Sequence, residues 1–422
     1  MGNNIIVAAP ERNILAWKAI HRHDALNNRM KTFREYMDGV RALEEHTYGR
    51  EVISAHDREV VICDPYTGGK RTMIMFASNN YLGLANHPRI REKVKDAIDS
   101  YGIGIGGPPL LNGYSRLMRL LEERLSDLKR KEACMIFSSG FAANLGILGG
   151  LVQAEDTVLY DELSHASLLD GLQIPGIASI PFKHNDVHDL EQLLIGVRGK
   201  GTCFVAVEGI YSMEGDLAPL DQVSALCKKY DAVCMVDDAH GTGIVGARGG
   251  GTADLFNCED SIGVSMGTFS KTFAVTGGFV AGSADLIEYM RYFSRSYVFS
   301  AALTPITLAA ILAGLDVIEA EPWLRDRLHA NVKYAAGLLA PYGMVSQPGG
   351  GIISLMIPKG MNIRRAASVF HQQGIFVNSI EAPAVPIGKE RFRLSFMAQH
   401  TRADIERLAE VVGQIWNNPS MY

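Results

Sequence analysis

The stretch GTFSKTFAVTGGFVAG, residues 267–282, carries a single charge, Lys271. Stripping water from an ammonium among small and apolar neighbours is costly, so such a lysine needs a partner, a depressed pKa or a covalent role. Two other places drive apolar runs into polar groups. MVDDAHGTG ends in Asp237, Asp238 and His240, and FSSGFAAN sets Ser139, Gly140 and Phe141 where a strand turns into a helix. Thr268 and Ser270 flank the lysine. Taken singly each has an ordinary explanation: paired aspartates as a solvated turn, Ser-Gly as a good turn, a lone histidine as structure. Together they supply an anion site at a helix start, an acid and a lysine. Pyridoxal phosphate needs those three: donors for its phosphate, a carboxylate for its ring nitrogen and a lysine for its aldehyde. Lys271 held as an imine has no permanent ammonium to bury.

The elements that must position these groups follow from periodicity. Residues 12–46 read as a helical arm of mixed polarity that packs on another body, such as a second subunit. REVVICD and RTMIMFAS alternate as strands about the turn PYTGGK, a hairpin. HPRIREKVKDAIDSYG is a helix with proline in its first turn and glycine at its end. From about residue 116 short apolar strands (EACMIFSS, DTVLYDE, TCFVAVEG, DAVCMVDD, SIGVSMGT, GGFVAGS) alternate with helices. That pattern predicts an α/β fold: a mainly parallel sheet covered on both faces, with ligands at the carboxyl ends of its strands. After residue 320 helices and strands mix as a small α+β domain. The expected division is an arm over 1–60, a large α/β domain over 61–315 and a C-terminal α+β domain over 316–422.

Composition narrows the class. A chain of 422 residues with 47% hydrophobic and 21% charged residues is globular, and a net charge of -5 argues against nucleic acid as a partner. No apolar run reaches the length of a membrane span. The six cysteines form no CxxC pair and read as reduced core thiols of a cytoplasmic protein. The N-terminus lacks the pattern of a secretory leader, and Ile6 stands where a myristoylation site wants Ser or Thr.

From FASNNYLGLANHP (76–88) to RFRLSFMAQHT (391–401), the chain resembles the α-oxoamine synthases. These are pyridoxal-phosphate enzymes of the aspartate aminotransferase fold type I, in the class II aminotransferase superfamily. NGYSRLMRLLEE, FSSGFAANLG, DELSHASLLDG, EGIYSMEGD, VDDAHGTGIVG and GTFSKTF stand in family order between those ends. The resemblance implies condensation of a small amino acid (glycine, alanine or serine) with an acyl thioester of coenzyme A or a carrier protein, with loss of carbon dioxide. It implies that Lys271 binds the cofactor and moves the α-proton. The first acid of the family's D-x-A-H pattern, Asp237 rather than Asp238, would pair with the ring nitrogen. His240 would bond the ring's phenolic oxygen and His165 would stack on the ring. Ser212, Thr268, Ser139, Ser270 and the backbone of Gly140 and Phe141 would lie around cofactor and phosphate. Arg393 would grip the substrate carboxylate, with Arg391 as a surface-lying rival, and Asn80 would lie near the substrate. The resemblance also implies a homodimer with shared sites.

Some positions depart from the family pattern. Pro108 and Pro109 follow GIGIGG, Met118 replaces a common histidine, and Ala301 and Ala302 replace hydroxyl residues that reach the neighbouring subunit's phosphate, with Ser300 as a partial substitute. DDAHGTGIVG looks like 8-amino-7-oxononanoate synthase, while GTFSK, PAVP and the long arm look like bacterial serine palmitoyltransferase, so amino acid and acyl chain stay open. Rival readings are an aminotransferase of the same fold, a non-catalytic subunit (which the presence of Lys271 opposes), and a dinucleotide site at Gly102, Gly104 and Gly107. The last is disfavoured because its glycines follow a helix rather than a strand.

Overall fold

A computed structural model describes residues 14–174, 176–199 and 201–422. The N-terminal stretch read for leader and acylation signals, and the first two residues of the predicted arm, lie outside these. The arm is two helices rather than one, α1 (Ile14–Ile20) and α2 (Leu26–Ala42), separated at 21–25. Neither has an apolar face sunk in this chain: α1 buries no residue and α2 buries only Val40.

The hairpin forms as expected, β1 (Glu59–Cys63) against β2 (Lys70–Met75). It then pairs in parallel with β11 (Ile375–Phe376), so a segment at the head of the expected large domain completes a sheet with the C-terminal region. Helix α3 spans Pro88–Tyr101 and α4 spans Arg116–Lys129, the latter capped by Ser115 Oγ, which accepts from the Met118 N–H.

The large sheet has seven strands: β3 (Ala133–Phe137), β4 (Thr157–Asp161), β5 (Ala178–Phe182), β6 (Cys203–Glu208), β7 (Val233–Asp237), β8 (Val264–Thr268) and β9 (Gly278–Gly282), in the order β3-β9-β8-β7-β6-β4-β5. It is parallel except for β9, which runs antiparallel to β3 and β8. Strand β5 and helix α7 (Val187–Val197) have no counterpart in the sequence reading. The β5 sequence ASIPF contains a proline and lacks a long apolar run, and it forms an edge, where a missing N–H costs little. Between β3 and β4 lies α5 (Gly140–Leu151), apolar all round and buried. α6 (Ala166–Gly171) follows β4, and α8 (Leu220–Tyr230) precedes β7.

Side chains alternate between the faces of each strand. Phe204 and Ala206 of β6, with Met235 and Met266, join the larger core cluster; Val205 and Val207, with Cys234 and Val236, join a second cluster on the other face. The same period carries Glu208, Asp237 and Thr268, the last residues of β6, β7 and β8, onto the first face. Asp161, last of β4, falls on the second. The C-terminal region adds an antiparallel sheet of β10 (Ile352–Met356), β13 (Arg391–Ser395) and β12 (Asn378–Ile380). No described helix is long and apolar enough to cross a membrane.

Candidate active site

The carboxyl ends of β6, β7 and β8 open into a cavity of about 290 Å³, lined among others by Ser139, Gly140, Phe141, His165, Glu208, Asp237, His240, Thr268, Ser270 and Lys271. Its floor needs glycine in two places. A Cβ on Gly140 would lie 2.9 Å from the Thr268 Cβ, and one on Gly278 would lie 2.6 Å from the Gly140 backbone nitrogen. Their absence lets the start of α5 press against β8 and β9.

Lys271 follows β8, half-buried, and makes no hydrogen bond or ion pair with any described residue. Burial lowers its pKa, against the opposing pull of the Asp237 and Glu208 carboxyls. Asp237 is held by two donors: the Asn144 side-chain N–H at 2.8 Å and the Ala239 backbone N–H at 3.1 Å. Its neighbour Asp238 points elsewhere, into a buried ion pair with Lys129 (2.6 Å) and a bond from the Thr252 hydroxyl at 2.8 Å. Asp238 is thus spent on structure, while Asp237 lines the cavity.

His240 is buried, with Nδ1 at 2.7 Å from the Tyr81 hydroxyl; burial, then the cations Lys271 and Arg393, hold it well below the usual imidazole range. His165 caps α6, its Nδ1 facing Ser167 Oγ at 2.8 Å, and burial lowers its pKa too. Ser139 caps α5 by accepting from the Ala142 N–H at 3.0 Å, which leaves the N–H groups of Gly140 and Phe141 at the open helix start. Thr268 Oγ1 lies 2.9 Å from Ser270 Oγ and donates to the Gly277 carbonyl.

The remaining predicted residues lie around the cavity rather than on its wall. Ser212 sits on the turn after β6; its N–H donates to Glu208 Oε2 at 3.0 Å, and its carbonyl accepts from Arg393 Nε at 2.6 Å. The two Arg393 terminal nitrogens both donate to Asn79 Oδ1 at 3.1 Å. Asn80 is buried and turned away, its amide oxygen accepting from the Ala85 N–H, so Asn79 rather than Asn80 meets the arginine. Arg391 is not a surface residue: it is buried and paired with Glu214 at 2.7 Å. Ser300 is half-buried and does not line the cavity. Sequence reasoning missed Asn144, Tyr81, Asn79 and Glu208. Glu208 alone had a readable signal, as an acid closing an apolar strand in the manner of Asp237.

The departures are structural in this chain. Met118 is buried in the core. Pro109–Gly113 form a π-helical turn, and Ala302 N–H donates to the Gly107 carbonyl at 3.0 Å. A Cβ on Gly113 would meet the Ala302 methyl at 2.7 Å, so that small residue packs the proline loop.

A lysine amine with no partner, a carboxyl oxygen of Glu208 with none, and open N–H groups at a helix start converge on one cavity. These residues fit pyridoxal phosphate, and the fold and site define a pyridoxal-phosphate-dependent transferase of the aspartate aminotransferase fold type. Comparison with known proteins agrees. Residues 71–412 match the model of the aminotransferase class I and II family, and the chain belongs to that family. It is 38% identical to the serine palmitoyltransferase of Sphingobacterium spiritivorum over 372 residues, 88% of this chain and 92% of that protein. It is also 38% identical to the 8-amino-7-oxononanoate synthase of Lysinibacillus sphaericus over 363 residues, 86% of this chain and 91% of that protein. Among solved structures it is similar to serine palmitoyltransferase from S. paucimobilis with a bound pyridoxal phosphate–myriocin adduct (TM-score 0.88, 28% identity, covering 94% of this chain and 100% of that one). The serine palmitoyltransferase of Sphingomonas wittichii gives a TM-score of 0.86 at 28% identity, covering 94% and 99%. The chain is a pyridoxal-phosphate-dependent acyltransferase of the α-oxoamine synthase group.

Proposed function

We propose that the chain joins glycine, alanine or serine to an acyl thioester of coenzyme A or a carrier protein, releasing carbon dioxide and an α-amino ketone. The observation that carries this reading is the partnerless amine of Lys271 in one cavity with Asp237. Lys271 would hold the cofactor's aldehyde carbon, Asp237 its ring nitrogen, and the N–H groups of Gly140 and Phe141, with Thr268 and Ser270, its phosphate. His165 would lie against the ring and His240 against its phenolic oxygen. Bound there, pyridoxal phosphate supplies an electron sink for the carbanion left when the amino acid loses its α-proton.

The chain's own residues do the rest. Burial lowers the pKa of Lys271, which favours the neutral amine that can take and return a proton at the α-carbon. Asn144 and the Ala239 N–H fix the Asp237 carboxyl. Tyr81 fixes His240, and the Ser167 hydroxyl fixes His165. The Arg393 fork, now on the Asn79 amide oxygen, would turn two donors to the substrate carboxylate, a bidentate match that lysine lacks.

The homodimer belongs to the same proposal. Phe141 lines the cavity yet is 42% exposed, Leu111 and Phe299 are exposed, and helices α1 and α2 bury almost nothing in their own chain. A second copy would cover them. Six free cysteines support a cytoplasmic location.

The test is a visible spectrum of the protein with pyridoxal phosphate, titrated with glycine, alanine and serine and then with acyl thioesters. A band that shifts with one amino acid, and carbon dioxide release that needs a thioester, are expected. Keto acid release without any thioester would instead make the protein an aminotransferase.

A further inference from the structure

Glu208 ends β6 and stands opposite Asp237 in the β6–β7 register. Alternation puts both on the cavity face of the sheet, so two carboxyls share one wall with His165 and Lys271. Their surroundings differ. Asp237 has a donor on each oxygen, from Asn144 and from the Ala239 N–H. Glu208 accepts one bond, at Oε2 from the Ser212 N–H, while its Oε1 is buried with no partner; the residue is 4% exposed.

An ionised Glu208 would leave one oxygen without a donor and face a second carboxyl across the strand pair, both costly away from water. The acid form removes both difficulties. Its Oε2 keeps the Ser212 bond, and Oε1–H becomes a donor lacking only an acceptor. The groups packed around it are Asp237 on β7, Lys271 after β8, His165 before α6, and Tyr211 and Glu214 on the turn that follows β6. Burial, then the Asp237 charge, push the Glu208 carboxyl well above the usual range, with Lys271 pulling the other way.

We propose that Glu208 is a cofactor-binding residue that works as a carboxylic acid, donating from Oε1 to an acceptor atom of bound pyridoxal phosphate while Oε2 anchors the Ser212 turn. This rests on the pyridoxal phosphate reading above. The site thus gains a donor without a second negative charge beside Asp237. Because the Ser212 carbonyl accepts from Arg393 Nε, the same carboxyl also steadies the turn that sets the arginine.

The experiment titrates the full-length apoprotein with pyridoxal phosphate, following visible absorbance and tryptophan fluorescence, for the wild type, Glu208→Gln and Glu208→Leu, with melting of each apoprotein. Glutamine has an acceptor for the Ser212 N–H and a donor of its own, so its Kd is expected within about threefold of the wild type. Leucine is expected to weaken binding roughly tenfold or more, with apoprotein melting reporting separately the loss of the Ser212 acceptor. The ratio of wild-type to glutamine Kd is expected to stay constant from about pH 6 to pH 7.5, because a carboxyl kept as the acid around neutral pH does not titrate there. A glutamine variant as weak as leucine, or a ratio that changes over that range, would overturn the proposal, since the carboxyl would then act ionised. Leucine binding like the wild type would overturn it by removing the contact. A wild type with no visible band would instead sink the pyridoxal phosphate reading, and this proposal with it.

Discussion

Two lysines, one buried and one half-buried, stand beside two adjacent aspartates, and they are opposites. Lys129, the last residue of α4, places its ammonium 2.6 Å from Asp238, 2.8 Å from the Thr242 hydroxyl and 2.7 Å from the Gly250 carbonyl. Every donor of that ammonium is used. Lys271 has none of this, and Asp237 is held by neutral donors instead of a cation. A buried charge whose bonds are complete is part of the architecture; a half-buried amine in a cavity, with no protein partner, is open to a ligand. Sequence alone pairs neither lysine with its aspartate: Lys129 lies in the charged run DLKRKE and Lys271 among small and apolar residues. Bonding completeness separates them.

Substitutions should sharpen the contrast, the largest effect first. Lys271→Ala should lower turnover by roughly 10⁴-fold or more while the apoprotein melts no lower than the wild type, since only an unpartnered amine is lost; single-turnover rates and calorimetry report the two halves. A marked fall in melting would break the contrast by making Lys271 structural. Asp237→Asn should cost roughly 10²–10³-fold in kcat and about 1–2 kcal/mol in stability, because its amide keeps an acceptor for only one of the two donors, Asn144 and the Ala239 N–H. Rate and denaturant midpoint, measured together, decide it.

On the other side, Lys129→Met should destabilise the fold by about 3–5 kcal/mol, because it strands Asp238 in the core, and Lys129→Met combined with Asp238→Leu should recover most of that. Urea unfolding of the single and double variants checks this; a double variant no better than the single would remove the ion pair from the account.

The smallest effect concerns a third charged cluster, on the sheet face away from the cavity. His184 lies between Asp161 at 3.0 Å and Asp216 at 3.1 Å. Burial would lower its pKa, but hydrogen bonds to the two carboxylates prevail and raise it to about 10. The folded value is above the unfolded one of about 6.5, so the contribution is complete below about pH 6.5 and is lost as pH rises through about 10. His184→Gln should flatten the fall in melting temperature over that window. A wild type and variant with parallel profiles would refute it.

Much of this was legible in the sequence. The β3, β6, β7 and β8 segments are short apolar runs ending at turns, and the polar groups at their ends gave Lys271, Asp237, His240 and the Ser139–Phe141 helix start. What could not be read was which partner each side chain finds. Asn144 and Asp237 are 93 positions apart, Lys129 and Asp238 are 109 apart, and no local pattern encodes such meetings. Arg391 and Arg393 share one strand face and differ only in what lies opposite, Glu214 for one and Asn79 with the Ser212 carbonyl for the other. The hairpin's union with β11 is likewise a long-range pairing. Strand β5 escaped because its proline and exposed positions break the apolar pattern that marks a strand.

The central claim is that Lys271, not Lys129, is the covalent anchor. The most direct measurement is borohydride reduction of the protein with pyridoxal phosphate bound, followed by proteolysis and peptide mass spectrometry. The account predicts a stable phosphopyridoxyl group on the peptide carrying Lys271 and unmodified Lys129. A label on any other lysine, or on none, would contradict it.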